Sequence, residues 1–366
     1  MLKLLIADDS ALMRKYLGEI FKAEGDFEIC IARNGVEALS LAHSFGPDVI
    51  TLDVNMPEMD GITCLSRIMV ECPRPVVMVS SLTSQGAEVT FEALALGAVD
   101  FIAKPDGTVS LHIDKIRAAL VAKVRGAARA RLRQSRGLLE RVRHGTRTAA
   151  GQNHVPAAAP RPLSNGPQIG SSLAGPVRGI VLIGVSTGGP GAIEDILTRL
   201  PGNFRWPIMI AQHMPESFTG VFARRMNDLC ELEVVELTRP MPLSAGVVYI
   251  GRGDADLLVG IRGGAPTAIP MPASSQYLWH PSVERMVASA LGNFDPKQLL
   301  GVMLTGMGDD GAAAMADIKS RGGRTIAEAE DTAVVWGMPG ELVKRGGASL
   351  VLPLPRIADQ LRQWAN

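Results

Sequence analysis

The chain has few aromatic residues, few cysteines, no net charge and no long apolar run, and each shortage closes off a class of function. Lys plus Arg and Asp plus Glu stand equal at 37 each. No overall field therefore draws the chain to nucleic acid or to an anionic membrane. Its apolar runs all fall short of the roughly 20 residues that a membrane helix needs, so direct membrane insertion is not expected. Cys30, Cys64, Cys72 and Cys230 are scattered with no CxxC pair, a pattern of free thiols in a reducing compartment. The first residues, Met1 to Asp9, turn acidic too soon for a signal peptide, and the expected location is the cytoplasm. Aromatics make up 4% against 46% hydrophobic residues, which suits Ala/Val/Leu/Ile-rich α/β packing. A length of 366 residues allows two or three domains, each with its own core.

The first 105 or so residues alternate short apolar runs with helix-period segments. Leu2–Ala7, Phe27–Ala32, Asp48–Leu52, Pro75–Ser80 and Val99–Ala103 read as strands. Leu12, Tyr16, Leu17, Ile20 and Phe21 share one face of an intervening helix. Repeated βα units imply a parallel sheet covered on both faces, with functional groups beyond the carboxyl ends of the strands. Those ends carry Asp8, Asp9 and Ser10, then Asp53, then Ser80 and Ser81, then Lys104 and Pro105. Converging carboxylates repel one another unless a hard cation sits among them, and Mg²⁺ with its oxygen shell is the natural occupant. A carboxylate beside Mg²⁺ and a lysine can attack a phosphoryl group, because both cations offset the incoming charge.

From about Ala118 to Pro176 the composition changes. Arg125, Arg129, Arg131, Arg133, Arg136, Arg141, Arg143 and Arg147 give way to a Pro/Ala-rich stretch from His154 to Pro162. The arginines have no interleaved aromatics, so a solvated helix that extends the first domain and then a tether fit better than an RNA-binding arm. The expected division is residues 1–120, a linker over 121–176, and a second domain over 177–366.

In the second domain strand–helix alternation resumes. Gly184-Val185-Ser186-Thr187-Gly188-Gly189 follows the apolar run Ile180–Ile183, and Pro190 suits the first turn of a helix. This turn exposes Ser186 beside helix N–H groups, where negative charge is favoured. His213 follows the run ending in Gln212, and Asp309 and Asp310 follow Leu299–Leu304. A nucleophile, a base and an acid thus each lie beyond a strand end, so one crest of one sheet can assemble a Ser–His–Asp hydrolase. The order Ser, His, Asp departs from the Ser, Asp, His order of α/β-hydrolases, which makes any triad a convergent version. A phosphate-binding reading of Gly184–Gly189 lacks a following lysine and an acidic residue about 20 positions on.

The first segment resembles a response-regulator receiver domain in Ile6 to Arg14, in Leu52-Asp53-Val54-Asn55-Met56-Pro57 with Met59-Asp60-Gly61, and in Phe101 to Pro105. The resemblance implies a flavodoxin-like fold with Asp53 as phospho-acceptor. It implies Mg²⁺ held by Asp8, Asp9, Asp53 and the Asn55 carbonyl, switch residues Ser80 and Phe101, and Lys104 against the phosphoryl group. The second segment resembles the catalytic domain of the chemotaxis protein-glutamate methylesterases in Gly184–Gly189, Gln212-His213-Met214-Pro215, Leu304–Gly311 and Trp336-Gly337-Met338-Pro339. This implies a doubly wound, mostly parallel α/β domain with Ser186 as nucleophile, His213 as general base and Asp310 as the residue orienting it. The residues alone do not choose between Asp309 and Asp310; the family pattern does. Backbone N–H groups at Thr187 or near Met307 are the candidate oxyanion donors, and the esterase needs no cofactor.

The implied substrate is a methylated glutamate of a methyl-accepting chemoreceptor, releasing methanol, with deamidation of receptor glutamines as a related activity. The implied phosphodonor is a histidine kinase of the chemotaxis type. Two stretches depart from the family pattern. Arg252-Gly253-Asp254-Ala255-Asp256 stands where a Pro-Gly-Asp turn and a histidine are usual, and Leu278-Trp279-His280 stands where Arg-His-Arg precedes Pro-Ser-Val. From sequence both lie outside the triad and bear on docking or pocket electrostatics. They also keep open the alternative of a catalytically altered paralogue that docks receptors without hydrolysis.

Overall fold

The computed structural model describes residues 1–81, 83–104, 113–132 and 177–365. Most of the expected linker therefore lies outside the described residues, as does Pro105.

The first domain runs β1 (Leu2–Ala7), α1 (Ala11–Glu24), β2 (Phe27–Ala32), α2 (Gly35–Ser44), β3 (Val49–Asp53), α3 (Gly61–Glu71), β4 (Val76–Ser80), α4 (Ser84–Leu96), β5 (Asp100–Ala103) and α5 (Ile113–Ala128). All five strands are parallel, in the order β2-β1-β3-β4-β5. Every residue of β3 and β4 is buried, as expected of strands covered by helices on both faces. Side chains start the helices beyond the strand ends. Ser10 accepts from the Met13 N–H at 3.4 Å to cap α1, and Asp60 accepts from the Thr63 N–H at 2.7 Å to cap α3. Helix α5 continues to Ala128, so Arg125 belongs to it and pairs with Glu24 and Asp26.

The second domain runs β6 (Ile180–Val185), α6 (Gly189–Leu197), β7 (Ile208–Gln212), α7 (Glu216–Leu229), β8 (Glu233–Leu237), β9 (Met241–Pro242), β10 (Val247–Gly251), β11 (Ala255–Arg262) and β12 (Ala265–Pro272). It continues through α8 (Val283–Leu291), β13 (Leu299–Met303), α9 (Ala312–Ser320), β14 (Arg324–Glu328), α10 (Met338–Lys344), β15 (Leu350–Leu352) and α11 (Leu354–Trp364). Seven of these strands form a parallel sheet ordered β15-β14-β13-β6-β7-β10-β8. The chain starts at β6, winds one way through β7 and later the other way through β13, so the sheet reverses direction beside β6. Such a switch point opens a crevice beyond the strand ends.

A small antiparallel sheet of β11, β12 and β9 was not legible in the sequence. Three prolines in β12 (Pro266, Pro270 and Pro272) argue against a strand, yet β12 pairs with β11 along its length around a Gly263-Gly264 turn with positive φ at both residues.

The two domains share apolar packing. Phe91 and Phe101 of the first domain meet Phe218 and Phe222 of α7. Phe91 stacks on Phe222 with centroids 5.4 Å apart, and Phe101 lies 4.4 Å from Phe218.

Candidate functional site

The crest of the seven-stranded sheet brings together the three residues nominated from the sequence. Strand pairing sets their spacing: Val185 at the end of β6 is in register with Gln212 at the end of β7, and Met303 with Gly184. Ser186 and His213 therefore occupy adjacent loops. The His213 N–H donates to the Val185 carbonyl at 3.1 Å, and the Ser186 N–H to the Thr305 carbonyl at 3.0 Å. Gly188 holds φ +78°, a left-handed conformation that turns the chain from β6 into α6 behind the serine. Gly306 is needed for close approach, since a Cβ there would lie 2.8 Å from that of Ser186.

His213 Nε2 is 2.8 Å from Asp310 Oδ2, and both side chains are nearly inaccessible to solvent. Asp310 sits at the N-terminus of α8, accepting from the Val283 N–H at 2.8 Å, the Glu284 N–H at 3.0 Å and the Ser282 hydroxyl at 3.1 Å. Burial opposes its charge, but the His213 ring and the Glu284 and Val283 N–H groups outweigh that and hold its carboxyl below the usual range. Asp309 points away, its side chain 69% exposed and 3.6 Å from Arg345. The geometry thus separates two aspartates that their residue type could not.

With Nε2 engaged by Asp310, Nδ1 of His213 is the ring atom left for proton transfer. It is buried and has no hydrogen-bond partner among the described residues. No hydrogen bond joins Ser186 Oγ to His213 among the described residues, a loose arrangement common before substrate is bound. The N–H groups of Thr187 and Met307 likewise make no protein hydrogen bond among the described residues. Both flank Ser186, through the chain and through Gly306 respectively.

Several supporting residues escaped the sequence reading. Gln212 Nε2 donates to the carbonyls of Ser186 and His213, each at 3.1 Å. The Thr305 hydroxyl donates to the Thr187 carbonyl at 2.8 Å, and its N–H to the buried Glu328 at 2.8 Å. Gln212 and Thr305 adjoin nominated loops, and Glu328 ends a strand, so position beyond the strand ends was the available signal. Trp279 had none: its ring stacks on His213 only because the loop between β12 and α8 folds back over the crest, with centroids 5.5 Å apart and planes 14° apart. The stretch Leu278–His280, read as lying outside the triad, therefore reaches it.

The second candidate site lies at the crest of the five-stranded sheet. Carboxylate oxygens of Asp8, Asp9 and Asp53 come within 4.8 Å of one another. An all-oxygen donor set of this charge fits a small hard cation. Lys104 Nζ lies 2.8 Å from Asp53 and 3.1 Å from Asp8. Burial and the Asp8 charge push the Asp53 carboxyl up to about 6, although Lys104 and the Asn55 N–H oppose the shift. The buried Ser80 hydroxyl donates to the Gly86 carbonyl at 3.1 Å. Phe101 is also buried, turned inward against Phe91 and Phe218.

The first domain covers the triad crest. The Thr187 hydroxyl donates to Asp100 at 2.5 Å, and Asp100 also pairs with Lys123 at 2.8 Å. Gly126 of α5 abuts the Met307 side chain, and the Arg131 N–H donates to the Val334 carbonyl at 3.1 Å. Ser186 and His213 keep only 6% and 3% of their surface accessible. No helix among the described residues is long and apolar enough to cross a membrane.

Comparison with known proteins matches both halves of the chain to known domains. Residues 4–114 match the response regulator receiver domain model, and residues 181–361 match the CheB methylesterase model. A Rhodospirillum rubrum protein named protein-glutamate methylesterase/protein-glutamine glutaminase 3 is 58% identical over 100% of this chain and 97% of its own. Proteins given the same enzyme name, each numbered 2, are 56% identical in Rhodopseudomonas palustris, over 100% of this chain and 99% of that one, and 47% identical in Carboxydothermus hydrogenoformans, over 98% of each.

Proposed function

Because this chain belongs to the protein-glutamate methylesterase/protein-glutamine glutaminase family, with a receiver domain ahead of the esterase domain, we propose that Ser186, His213 and Asp310 carry its hydrolysis and that Asp53 controls it. With water, the reaction converts a glutamate methyl ester on a protein to glutamate and methanol, and protein glutamine to glutamate and ammonia. The observation that carries the residue assignment is the His213–Asp310 pair, set on the loops flanking Ser186 at a sheet switch point.

As Ser186 Oγ attacks the ester carbonyl, its proton passes to Nδ1 of His213, and Asp310 stabilises the imidazolium through Nε2. The Thr187 and Met307 N–H groups donate to the oxyanion, and losing one such donor costs on the order of 10²–10³ in rate. Collapse of the tetrahedral intermediate expels the methoxy group, which takes the proton from His213 and leaves as methanol. Water then attacks the acyl-serine with Nδ1 again as base, which frees glutamate and restores Ser186. The proposed carrier of the ester is a methyl-accepting chemoreceptor.

In the receiver, Asp8, Asp9, Asp53 and the Asn55 carbonyl would hold Mg²⁺, which when bound offsets the charge of incoming phosphoryl oxygens. Asp53 accepts the phosphoryl group, Lys104 pairs with it, and Ser80 and Phe101 respond. The proposed donor is a histidine kinase of the chemotaxis type. In the unphosphorylated chain the receiver packs over the crest and limits access, and phosphorylation loosens that packing. Supporting this are the Asp100–Thr187 bond and the Gly126–Met307 contact, which put receiver atoms against the residues that flank Ser186, together with the Phe101–Phe218 contact to α7.

The alternative of a docking module without hydrolysis loses ground, since the nearby relatives carry enzyme names and the serine, histidine and aspartate are all in place. Methanol release from methylated receptor membranes, with and without a small-molecule phosphodonor, tests the assignment. Release should be abolished by Ser186→Ala and no longer stimulated in Asp53→Asn. Equal release from the Ser186→Ala variant and the unaltered chain would overturn it.

A further inference from the structure

The two stretches in which this chain departs from its family's motifs fold into one unit. Asp256, its side chain fully buried, accepts from the Ser282 N–H at 2.7 Å, from His280 Nδ1 at 2.9 Å, from the Ser274 N–H at 3.3 Å and from the Arg285 guanidinium. One carboxylate thus fastens the loop on both sides of Trp279. The fastened loop then leads into α8, whose first N–H groups hold Asp310.

Trp279 is half-buried and lies flat on His213. Its indole nitrogen is 3.9 Å from the place a Cβ on Gly308 would take, so the ring spans from the histidine to the loop that carries Met307 and Asp310. Among the described residues the imidazole has one hydrogen bond, at Nε2, and none at Nδ1. A single bond at Nε2 limits where that atom sits but leaves the ring able to swing about χ2, a broad torsion for histidine. Nδ1, which lies farther from that rotation axis than Nε2, is the ring nitrogen such a swing displaces more. A flat neighbour removes that freedom, and its π face also favours the imidazolium that forms as Ser186 gives up its proton.

We propose that Trp279 is a positioning residue for the hydrolysis, fixing the plane of His213 so that Nδ1 faces Ser186. The proposal rests on the Ser186–His213–Asp310 assignment. An apolar cover over the site would need only bulk, whereas a positioning role needs a flat ring, and substitution can tell them apart.

The test compares Trp279→Phe, Trp279→Leu and Trp279→Ala in the full chain with Mg²⁺ and a phosphodonor, measuring methanol release from methylated receptor membranes. Trp279→Phe should keep kcat within about threefold, while Trp279→Leu and Trp279→Ala lose about tenfold or more in kcat with KM within about twofold. Thermal midpoints within about 2 °C of one another exclude general unfolding as the cause. If Trp279→Leu performs as well as Trp279→Phe, or the loss falls on KM alone, the ring is a cover or a docking surface and the proposal fails. If Ser186→Ala releases as much methanol as the unaltered chain, the triad itself is wrong and the proposal falls with it.

Discussion

The hydroxyl of Thr187 donates to the carboxylate of Asp100 at 2.5 Å, joining the residue after the proposed nucleophile to the strand of the proposed aromatic switch. Asp100 directly precedes Phe101, and Thr187 offers one of the two proposed oxyanion N–H groups. A displacement of β5 is therefore felt one residue from Ser186. Asp100→Asn weakens the charge-assisted bond while keeping its shape, so unphosphorylated methanol release should rise several-fold and stimulation by a phosphodonor should shrink. Unchanged basal release would show that this bond does not restrain the site.

The two neighbouring aspartates should differ sharply. Asp310→Asn removes the charge that holds His213 and should lower kcat by about 10⁴. Asp309→Asn, altering an exposed side chain, should stay within about twofold. Initial rates of methanol release on the two variants decide the matter.

The Ser282 hydroxyl has two partners, accepting from the Arg285 N–H at 3.3 Å to cap α8 and donating to Asp310 at 3.1 Å. Ser282→Ala should cost about 1 kcal/mol in stability through the lost cap, read by denaturant unfolding. A further drop of roughly tenfold in kcat is expected from the loosened Asp310.

Asp53 sets a pH dependence whose sign follows from its raised pKa. Between the ordinary value of 3.8 and about 6 the folded chain binds more protons at this group than the unfolded chain, so stability falls as pH rises through that window. Raising the carboxyl from 3.8 to about 6 corresponds to roughly 3 kcal/mol as an upper figure. Without divalent cations, Asp53→Asn should therefore melt several degrees higher than the unaltered chain at pH 7.5 and converge with it near pH 4. Added Mg²⁺ should narrow the gap at pH 7.5 by stabilising the unaltered chain. A melting difference independent of pH and Mg²⁺ would contradict this account.

The parallel sheets and the crest residues were legible because both signals are local. Apolar runs mark strands such as Ile180–Val185, and the sheet then gathers whatever polar residues follow them. Strand register supplied what spacing alone does not, setting Ser186 beside His213 through the pairing of Val185 with Gln212. Contacts made by irregular loops stayed hidden. Nothing in Leu278–His280 indicates that Trp279 folds back onto His213, and nothing near Asp256 indicates that His280, 24 residues on, is its partner. The prolines of β12 concealed a strand that two neighbours nevertheless complete.

The cluster of Phe91, Phe101, Phe218 and Phe222 belongs to one continuous apolar core that takes in residues of both sheets. Two domains with a common core lose their structure together when the shared part is a substantial share of what stabilises either. The resting chain should then melt in a single cooperative transition, even though it contains two separate parallel sheets. Withdrawing Phe101 together with Phe91, which stacks on Phe222, would thin that shared core, after which each sheet should answer to heat more independently. The shape of the melting curve would thus report the signalling state of the chain, independently of any substrate.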